Sequence, residues 1–375
     1  MPDSSHAAAP AGSRSTRPDG IAQPLTAGAF VRNAWYMAGW VDHFRQAPLT
    51  HRTMLDEPIV IYRTDAGAWV ALEDRCAHRF VPLSRGQIID GCRVQCPYHG
   101  LQYDATGACV INPHGSQRIP ARARVRAWPV IERHKALWIW MGEEAPRAAE
   151  VPDFSVLDAA PELHVTPPDG ILVRANYQLV IDNLLDLSHT SFVHEGLLGN
   201  QGMTASAIEC ATRGTEVTVD RHASAVAPPG MFAPMWPGHP PLVDSFTHMR
   251  WMAPSTLRLM TGICEPGADP ASGTGYHGLH MLPPATAGTT HYFFAAVRFG
   301  VRTPEPEFNR EMQARISRLR RFAFEEQDAP VIESQQAVLD AANRTLDPVL
   351  LEVDAGPAQY KRVLARMLTR EAAAR

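Results

Sequence analysis

Arg75-Cys76-Ala77-His78-Arg79-Phe80-Val81-Pro82 and Gln95-Cys96-Pro97-Tyr98-His99-Gly100-Leu101 decide how this chain is read. Each stretch carries one Cys and one His on a short loop, and 17 residues separate His78 from Cys96. Two thiolates and two imidazoles suit a [2Fe–2S] cluster with Cys76 and Cys96 on one iron and His78 and His99 on the other. Neutral imidazoles there raise the reduction potential above that of an all-Cys cluster. A Cys₂His₂ zinc site uses the same ligand types. Zinc fingers, however, place both Cys first and both His last, whereas each half here contributes one of each. Pro82, Pro97 and Gly100 give the sharp turns that present backbone N–H groups to cluster sulfurs.

Outward from these loops, the residues read as short strands and turns. Glu57-Pro58 leads into Ile59-Val-Ile-Tyr62, Asp65-Ala-Gly67 turns into Trp69-Val-Ala-Leu72, and Leu137-Trp-Ile-Trp140 forms a buried strand. An all-β domain over 29–142 that carries its cluster on two loops at one end follows. Residues 143–155 read as a linker and 1–28, rich in Ala, Ser, Pro and Arg, as a disordered tail. The remainder, 156–375, mixes helices with strands. Helix-like patterning runs from Asn176 to about His194, over 305–326 and from Gly356 onward. Strand-like segments lie around 206–226, 245–263, 276–283 and 290–299. The expected fold is therefore α+β: a β domain followed by a curved antiparallel sheet gripped by helices, with a pocket between the layers.

Composition bounds the function. The 375 residues are 45% hydrophobic and 20% charged, with a formal net charge of −4, so nothing electrostatic points to nucleic acid or an anionic membrane as a partner. No run of 18 apolar residues marks a membrane span. Six cysteines are too few for a disulfide scaffold. Cys92, Cys109, Cys210 and Cys264 read as free thiols in a reducing cytoplasm.

A second metal site is written into Asp182-Asn-Leu-Leu-Asp186-Leu-Ser-His189-Thr-Ser-Phe-Val-His194. Histidines and carboxylates on a mostly apolar stretch point to paired or metal-bound groups, because unpaired charges are expensive inside. His189 and His194 are five apart, which on an ideal helix rotates one about 140° from the other. They share an ion only if the helix deforms or His194 lies beyond its end; otherwise they are core histidines. Asn183, Asp186 and His189 follow one another at spacings of three, on one helix face. A 2-His-1-carboxylate Fe(II) site leaves positions open for O₂ and substrate. Its carboxylate must come from elsewhere, and Asp328, Glu325, Glu326 and Glu333 are rivals that spacing does not separate.

From about Val31 to Leu368 the sequence resembles the oxygenase subunits of Rieske non-haem iron oxygenases, within them the aromatic O-demethylase branch. The resemblance rests on Arg32-Asn-Ala-Trp-Tyr36, the two Cys/His loops, Asp182-Asn-Leu-Leu-Asp-Leu-Ser-His189 and Arg250-Trp-Met-Ala-Pro-Ser255. It continues through Asp328-Ala-Pro-Val-Ile-Glu-Ser-Gln-Gln336 and Asp354-Ala-Gly…Arg362-Val-Leu364. It implies a Rieske [2Fe–2S] cluster and mononuclear Fe(II), the latter held by His189, His194 and Asp328. It further implies that Asp186, with Asn183 nearby in the same motif, links His189 to His99 of a neighbouring subunit in a homotrimer. The implied partner is an NAD(P)H-dependent flavin/iron–sulfur reductase. The implied reaction is oxidation of a small aromatic substrate with O₂, through demethylation of an aryl methyl ether with release of formaldehyde. Substrate-side candidates are His248, Arg250, Trp251, His280 and Phe294, with Arg250 or a histidine suited to hold an aryl carboxylate. Pro283-Pro284 and Met231-Phe-Ala-Pro-Met-Trp-Pro237 depart from the vanillate-type pattern, which leaves the individual substrate open. The alternatives are a ring hydroxylase or N-demethylase of the same superfamily and, from another class, an electron carrier without catalytic iron.

Overall fold

A computed structural model of the chain describes residues 29–343 and 346–374; the expected tail, 1–28, lies outside them. The N-terminal region is all-β. One four-stranded sheet runs in the order Thr50–Met54, Glu57–Arg63, Trp69–Glu73, Ala127–Trp128. A second, Gln87–Ile89, Arg93–Gln95, Gln102–Tyr103, Cys109–Ile111, carries the second cluster loop between its middle strands. Trp35–Trp40, Ala136–Trp140 and Val130–Arg133 form a third. Alternation in Ile59–Tyr62 sends Ile59 and Ile61 into one core and Val60 and Tyr62 into another, behind the cluster loops.

Residues 143–150 are exposed, whereas the end of the 143–155 segment is anchored. Val151 and Phe154 are buried against Trp138 and, through the same cluster, against Leu279 and Phe293 of the C-terminal region. Leu55 and Asp56 donate backbone hydrogen bonds to the carbonyls of Pro284 and Ala285 across the same seam.

The C-terminal region is built on an antiparallel sheet in the order Asp169–Val173, Thr289–Phe299, Thr274–Met281, Thr256–Cys264, Val243–Met252, Glu216–Val226, Ile208–Arg213. The predicted segments 206–226 and 245–263 are each a hairpin, because Gly214 and the Ala253-Pro254-Ser255 turn interrupt them. Helices Tyr177–Leu185, Pro306–Phe322, Ala329–Ala341 and Ala355–Ala373 cover one face.

The helix expected to reach His194 ends at Leu185. Asn176 caps its start by accepting from the Gln178 N–H, and Asp186 takes an extended conformation at its end. Pro306–Phe322 and Ala329–Ala341 are joined by a π-turn over Ala323–Asp328, so that one continuous helical run passes beneath the sheet. Among the described residues no helix is long and apolar enough to cross a membrane.

Candidate metal centres and substrate cavity

The two Cys/His loops are conformational twins. In each, the Cys N–H donates to a carbonyl five residues on (Cys76 to Val81, Cys96 to Leu101), and the N–H four residues on returns to the Cys carbonyl (Phe80 and Gly100). That closure requires positive φ at the fourth residue, +71° at Gly100 and +61° at Phe80. Glycine takes it freely; phenylalanine does so at a steric cost.

Cys76 and Cys96 are buried, whereas His78 is exposed and His99 half-buried, with ring centroids 4.5 Å apart. Sulfur therefore faces the protein and imidazole faces outward. Burial pushes the Cys96 thiol up, while the Tyr98 and His99 N–H groups directed at it favour the thiolate. Tyr103 Oη lies 3.2 Å from Cys76 Sγ and accepts from the Ala77 N–H. Four ligands of one zinc ion would converge on a single point. Among the described residues only His189, His194 and Asp328 bring three ligand atoms within 4.8 Å of one another. The Cys/His set is spread more widely, as two irons require.

The second centre is assembled from two distant segments. Past the end of the Tyr177–Leu185 helix the chain tightens into a single turn, His189–Ser191, and then bends through Gly196, so that both imidazoles face the π-turn. Asp328 Oδ1 lies 3.1 Å from His194 Nε2 and 3.6 Å from His189 Nε2, and it accepts from Asn183 Nδ2 at 3.1 Å. Both rings are anchored from behind. His194 Nδ1 donates to Gln327 Oε1 at 2.8 Å, and His189 Nδ1 donates to the Asp186 carbonyl. With Nδ1 protonated on each, both Nε2 lone pairs point inward, as metal ligation demands.

Burial holds His189 below its ordinary pKa. Burial also pushes His194 down, but the hydrogen bond and charge of Asp328, helped by Gln327, outweigh it and raise its pKa. The donor set fits a mononuclear Fe(II). Glu325, Glu326 and Glu333 stay outside this constellation: Glu325 pairs with Arg321 and Glu333 with Arg174. Asp186 is half-buried, and its carboxylate accepts from the N–H and hydroxyl of Ser188. Within the chain, then, Asp186 reaches His189 through its main-chain carbonyl.

Beside the three ligands opens a cavity whose interior offers about 70 Å³ to the centres of water-sized molecules. Cross-strand register builds its floor. Thr247 opposes Thr261, which opposes Tyr276; Met249 opposes Leu259, which opposes Gly278. A Cβ on Gly278 would come within 2.9 Å of His280 Nε2, so the glycine leaves room for that ring. His280 lines the cavity, its Nδ1 bonded to Tyr292 Oη at 2.8 Å. Burial, and then Arg320, hold its pKa far below the ordinary value, so it is neutral.

The other substrate-side candidates fall elsewhere. Arg250 and His248 point to the opposite face of the sheet, paired with Glu216 and Asp220. Trp251 is buried against Tyr360, and Phe294 meets Phe324 edge-on behind the cavity. Alternation along Val243–Met252 turns Thr247 and Met249, rather than His248 and Arg250, toward the cavity. Gln327, Tyr276 and Arg320 gave no sequence signal of their own.

Comparison with known proteins agrees with both halves. Residues 34–129 match the Rieske [2Fe-2S] domain, and 173–370 match the vanillate O-demethylase oxygenase C-terminal domain. The oxygenase component of dicamba O-demethylase from Stenotrophomonas maltophilia is 33% identical over 92% of this chain and 99% of its own. An iron–sulfur subunit of the toluene-4-sulfonate monooxygenase system of Comamonas testosteroni is 32% identical over 91% and 98%. The crystal structure of dicamba monooxygenase bound to 3,6-dichlorosalicylic acid superposes with a TM-score of 0.82, at 32% identity and covering 92% and 99%.

An iron–sulfur β domain joined to a helix-gripped sheet that holds two His and one carboxylate defines a class of oxygenase. The chain belongs to that family, as an oxygenase component of the Rieske non-haem iron oxygenases. Its cofactors are a [2Fe–2S] Rieske cluster and a mononuclear iron. Within the family its catalytic half is of the vanillate O-demethylase kind.

Proposed function

We propose that this oxygenase demethylates a small aryl methyl ether of the methoxybenzoate type. The methyl carbon is hydroxylated, using O₂, two electrons and two protons and releasing one water; the resulting hemiacetal collapses to a phenol and formaldehyde. The observation that carries this reading is the largely apolar cavity that opens beside the Nε2 atoms of His189 and His194 and the carboxylate of Asp328. These three would hold the iron, and Cys76, His78, Cys96 and His99 the cluster. When bound, the cluster supplies single electrons and the ferrous centre the capacity to activate O₂.

The protein's own residues do the rest. Gln327 and the Asp186 carbonyl fix the two imidazole tautomers, and Asn183 steadies Asp328 through a neutral donor. Leu187, Met249, Leu259 and Phe324 exclude water around the bound ring. Electrons come from an NAD(P)H-dependent flavin/iron–sulfur reductase. The outward-facing His78 and His99, beside the exposed Phe80 and Tyr98, support a homotrimer in which Asp186 meets His99 of the next subunit. A cytoplasmic location suits the four thiols outside the cluster, Cys92, Cys109, Cys210 and Cys264, none of them bridged. A second reading, N-dealkylation, is favoured by the 31% identity to the oxygenase component of a chloroacetanilide N-alkylformylase.

Holoenzyme with a surrogate reductase, given a panel of methoxybenzoates and N-alkylanilines, should release formaldehyde from the ethers. Iron analysis should give three irons per chain, two in the cluster and one in the mononuclear site. Two irons and no substrate-stimulated O₂ uptake would leave only an electron carrier. Asp186→Asn should keep both centres filled yet nearly abolish turnover, and normal activity would remove Asp186 from the electron path.

A further inference from the structure

Arg320 occupies the last turn of the helix Pro306–Phe322 and lines the cavity at only 2% exposure. Neither Nη1 nor Nη2 has a hydrogen-bond partner. Other buried arginines keep at least one Nη partner: Arg221 Nη1 donates to the Leu187 carbonyl at 2.6 Å, and Arg298 Nη1 donates to Asn309 Oδ1 at 2.7 Å although its Nη2 is unpaired. Fully buried arginine is rare unless paired, because its charge and five N–H groups lose water without compensation.

The rings of Tyr276, Phe294 and Phe324 surround the guanidinium at 5.3–5.5 Å from its carbon. They hold it in place and stabilise its charge, but ring faces do not satisfy its N–H groups. A second orphaned nitrogen lines the same cavity, Nε2 of the neutral His280. Phe324 and Asp328 follow Arg320 at four and eight residues along the same helical run, which sets Arg320 and Asp328 about two helical turns apart along the axis. One substituted benzene ring and two side chains fill such a span.

We propose that Arg320 is the anion anchor of the substrate cavity: its Nη1 and Nη2 bind the carboxylate of an arenecarboxylic acid and turn the opposite end of the ring toward His189, His194 and Asp328. A carboxylate matches the planar two-donor edge of a guanidinium and supplies the acceptor that Nη1 and Nη2 lack within the protein. This makes Arg320, rather than Arg250, the residue that selects acids over neutral arenes. It rests on the demethylase reading only for what happens at the far end of the ring.

The test uses holoenzyme, wild type, Arg320→Gln and Arg320→Lys, with benzoate and methoxybenzoates set against benzamide and methoxybenzamides. Calorimetric binding of benzoate and benzamide is read beside formaldehyde release. The wild type should prefer the acids. Arg320→Gln should weaken benzoate by about a hundredfold, leave benzamide unchanged, and raise KM for methoxybenzoates far more than it lowers kcat. Arg320→Lys should recover part of the loss.

A merely structural arginine predicts a lower unfolding temperature for ligand-free Arg320→Gln. Removal of an unpartnered buried charge predicts one equal to wild type or higher. Equal wild-type affinity for acids and amides would overturn the anchor even if formaldehyde is released, and needs no folded Gln variant. Strong, Arg320-dependent benzoate binding without formaldehyde from any ether would keep the anchor and remove the demethylase reading.

Discussion

The two Cys/His loops proposed to hold the cluster and the His189/His194/Asp328 site proposed to hold the mononuclear iron present their histidines in opposite ways. Cys76–Phe80 and Cys96–Gly100 each close on themselves through backbone hydrogen bonds, and their imidazoles face outward. His189, His194 and Asp328 come from segments more than 130 residues apart and are buried or nearly so, with each imidazole pinned by an acceptor behind it. A centre that must receive electrons is built locally at the surface. One that must keep water from a reacting ring is built by long-range packing.

The largest expected effect separates the two. Asp328→Ala should abolish turnover and lower iron from three per chain to two, with the visible spectrum of the cluster intact. Loss of the cluster spectrum as well would mean that the centres assemble together. Next comes the support behind His194. Gln327→Leu removes the acceptor from Nδ1 and should weaken mononuclear iron binding about 10- to 100-fold, read by iron retention against a chelator. Full retention would show that Asp328 alone orients the ring.

At the seam between the two regions, His291 Nε2 donates to the Thr53 carbonyl at 3.1 Å. Burial, with Arg52 nearby, lowers its pKa from 6.5 to about 4. A depressed histidine favours the folded state fully above pH 6.5 and loses that contribution as pH falls toward 4, on the order of 3 kcal/mol in all. Denaturant unfolding of wild type should show that slope over this window and His291→Gln should flatten it; the same slope in both would place the pH dependence elsewhere. Smallest are the twin loops. Gly100→Ala should cost about 1–2 kcal/mol at its positive φ, with the new methyl also pressed on Pro113. Phe80→Gly should stay within about 1 kcal/mol of wild type, since relief of strain offsets the added chain entropy. Equal losses in both, measured by thermal unfolding, would show that the loops are not equivalent.

How far each region was legible in the sequence follows the same division. The cluster ligands lie within loops of a few residues, so Cys76, His78, Cys96 and His99 are readable from spacing and turn chemistry alone. The mononuclear site was legible only as two histidines at an awkward spacing of five. What resolves that spacing is the helix end at Leu185, and the acceptors behind both rings depend on tertiary packing. The carboxylate was ambiguous because Glu325, Glu326, Asp328 and Glu333 differ in where a π-turn sends them, and nothing in an α-helical pattern announces such a turn. Cavity residues were least legible. In Thr247-His-Met-Arg250 alternation puts His248 and Arg250 on one face and Thr247 and Met249 on the other, but the polar pair offered the more obvious substrate contacts although the other pair meets the cavity. Arg320 looked like one more cation on a charged helix.

The π-turn at Ala323–Asp328 has a consequence for how this cavity can vary. A helix fixes the angular phase of every residue along it, and one wide turn resets that phase. Residues before the turn, Arg320 among them, can be aligned to the far wall independently of Ile332 and Gln336 after it, with Phe324 and Asp328 near the turn's two ends. Deleting one residue within the turn would restore an unbroken helix and swing one set away from the cavity. Substituting Arg320 in place leaves the phase untouched. Selectivity can thus be rewritten on one side of this joint while the iron-binding geometry on the other side stays as it is.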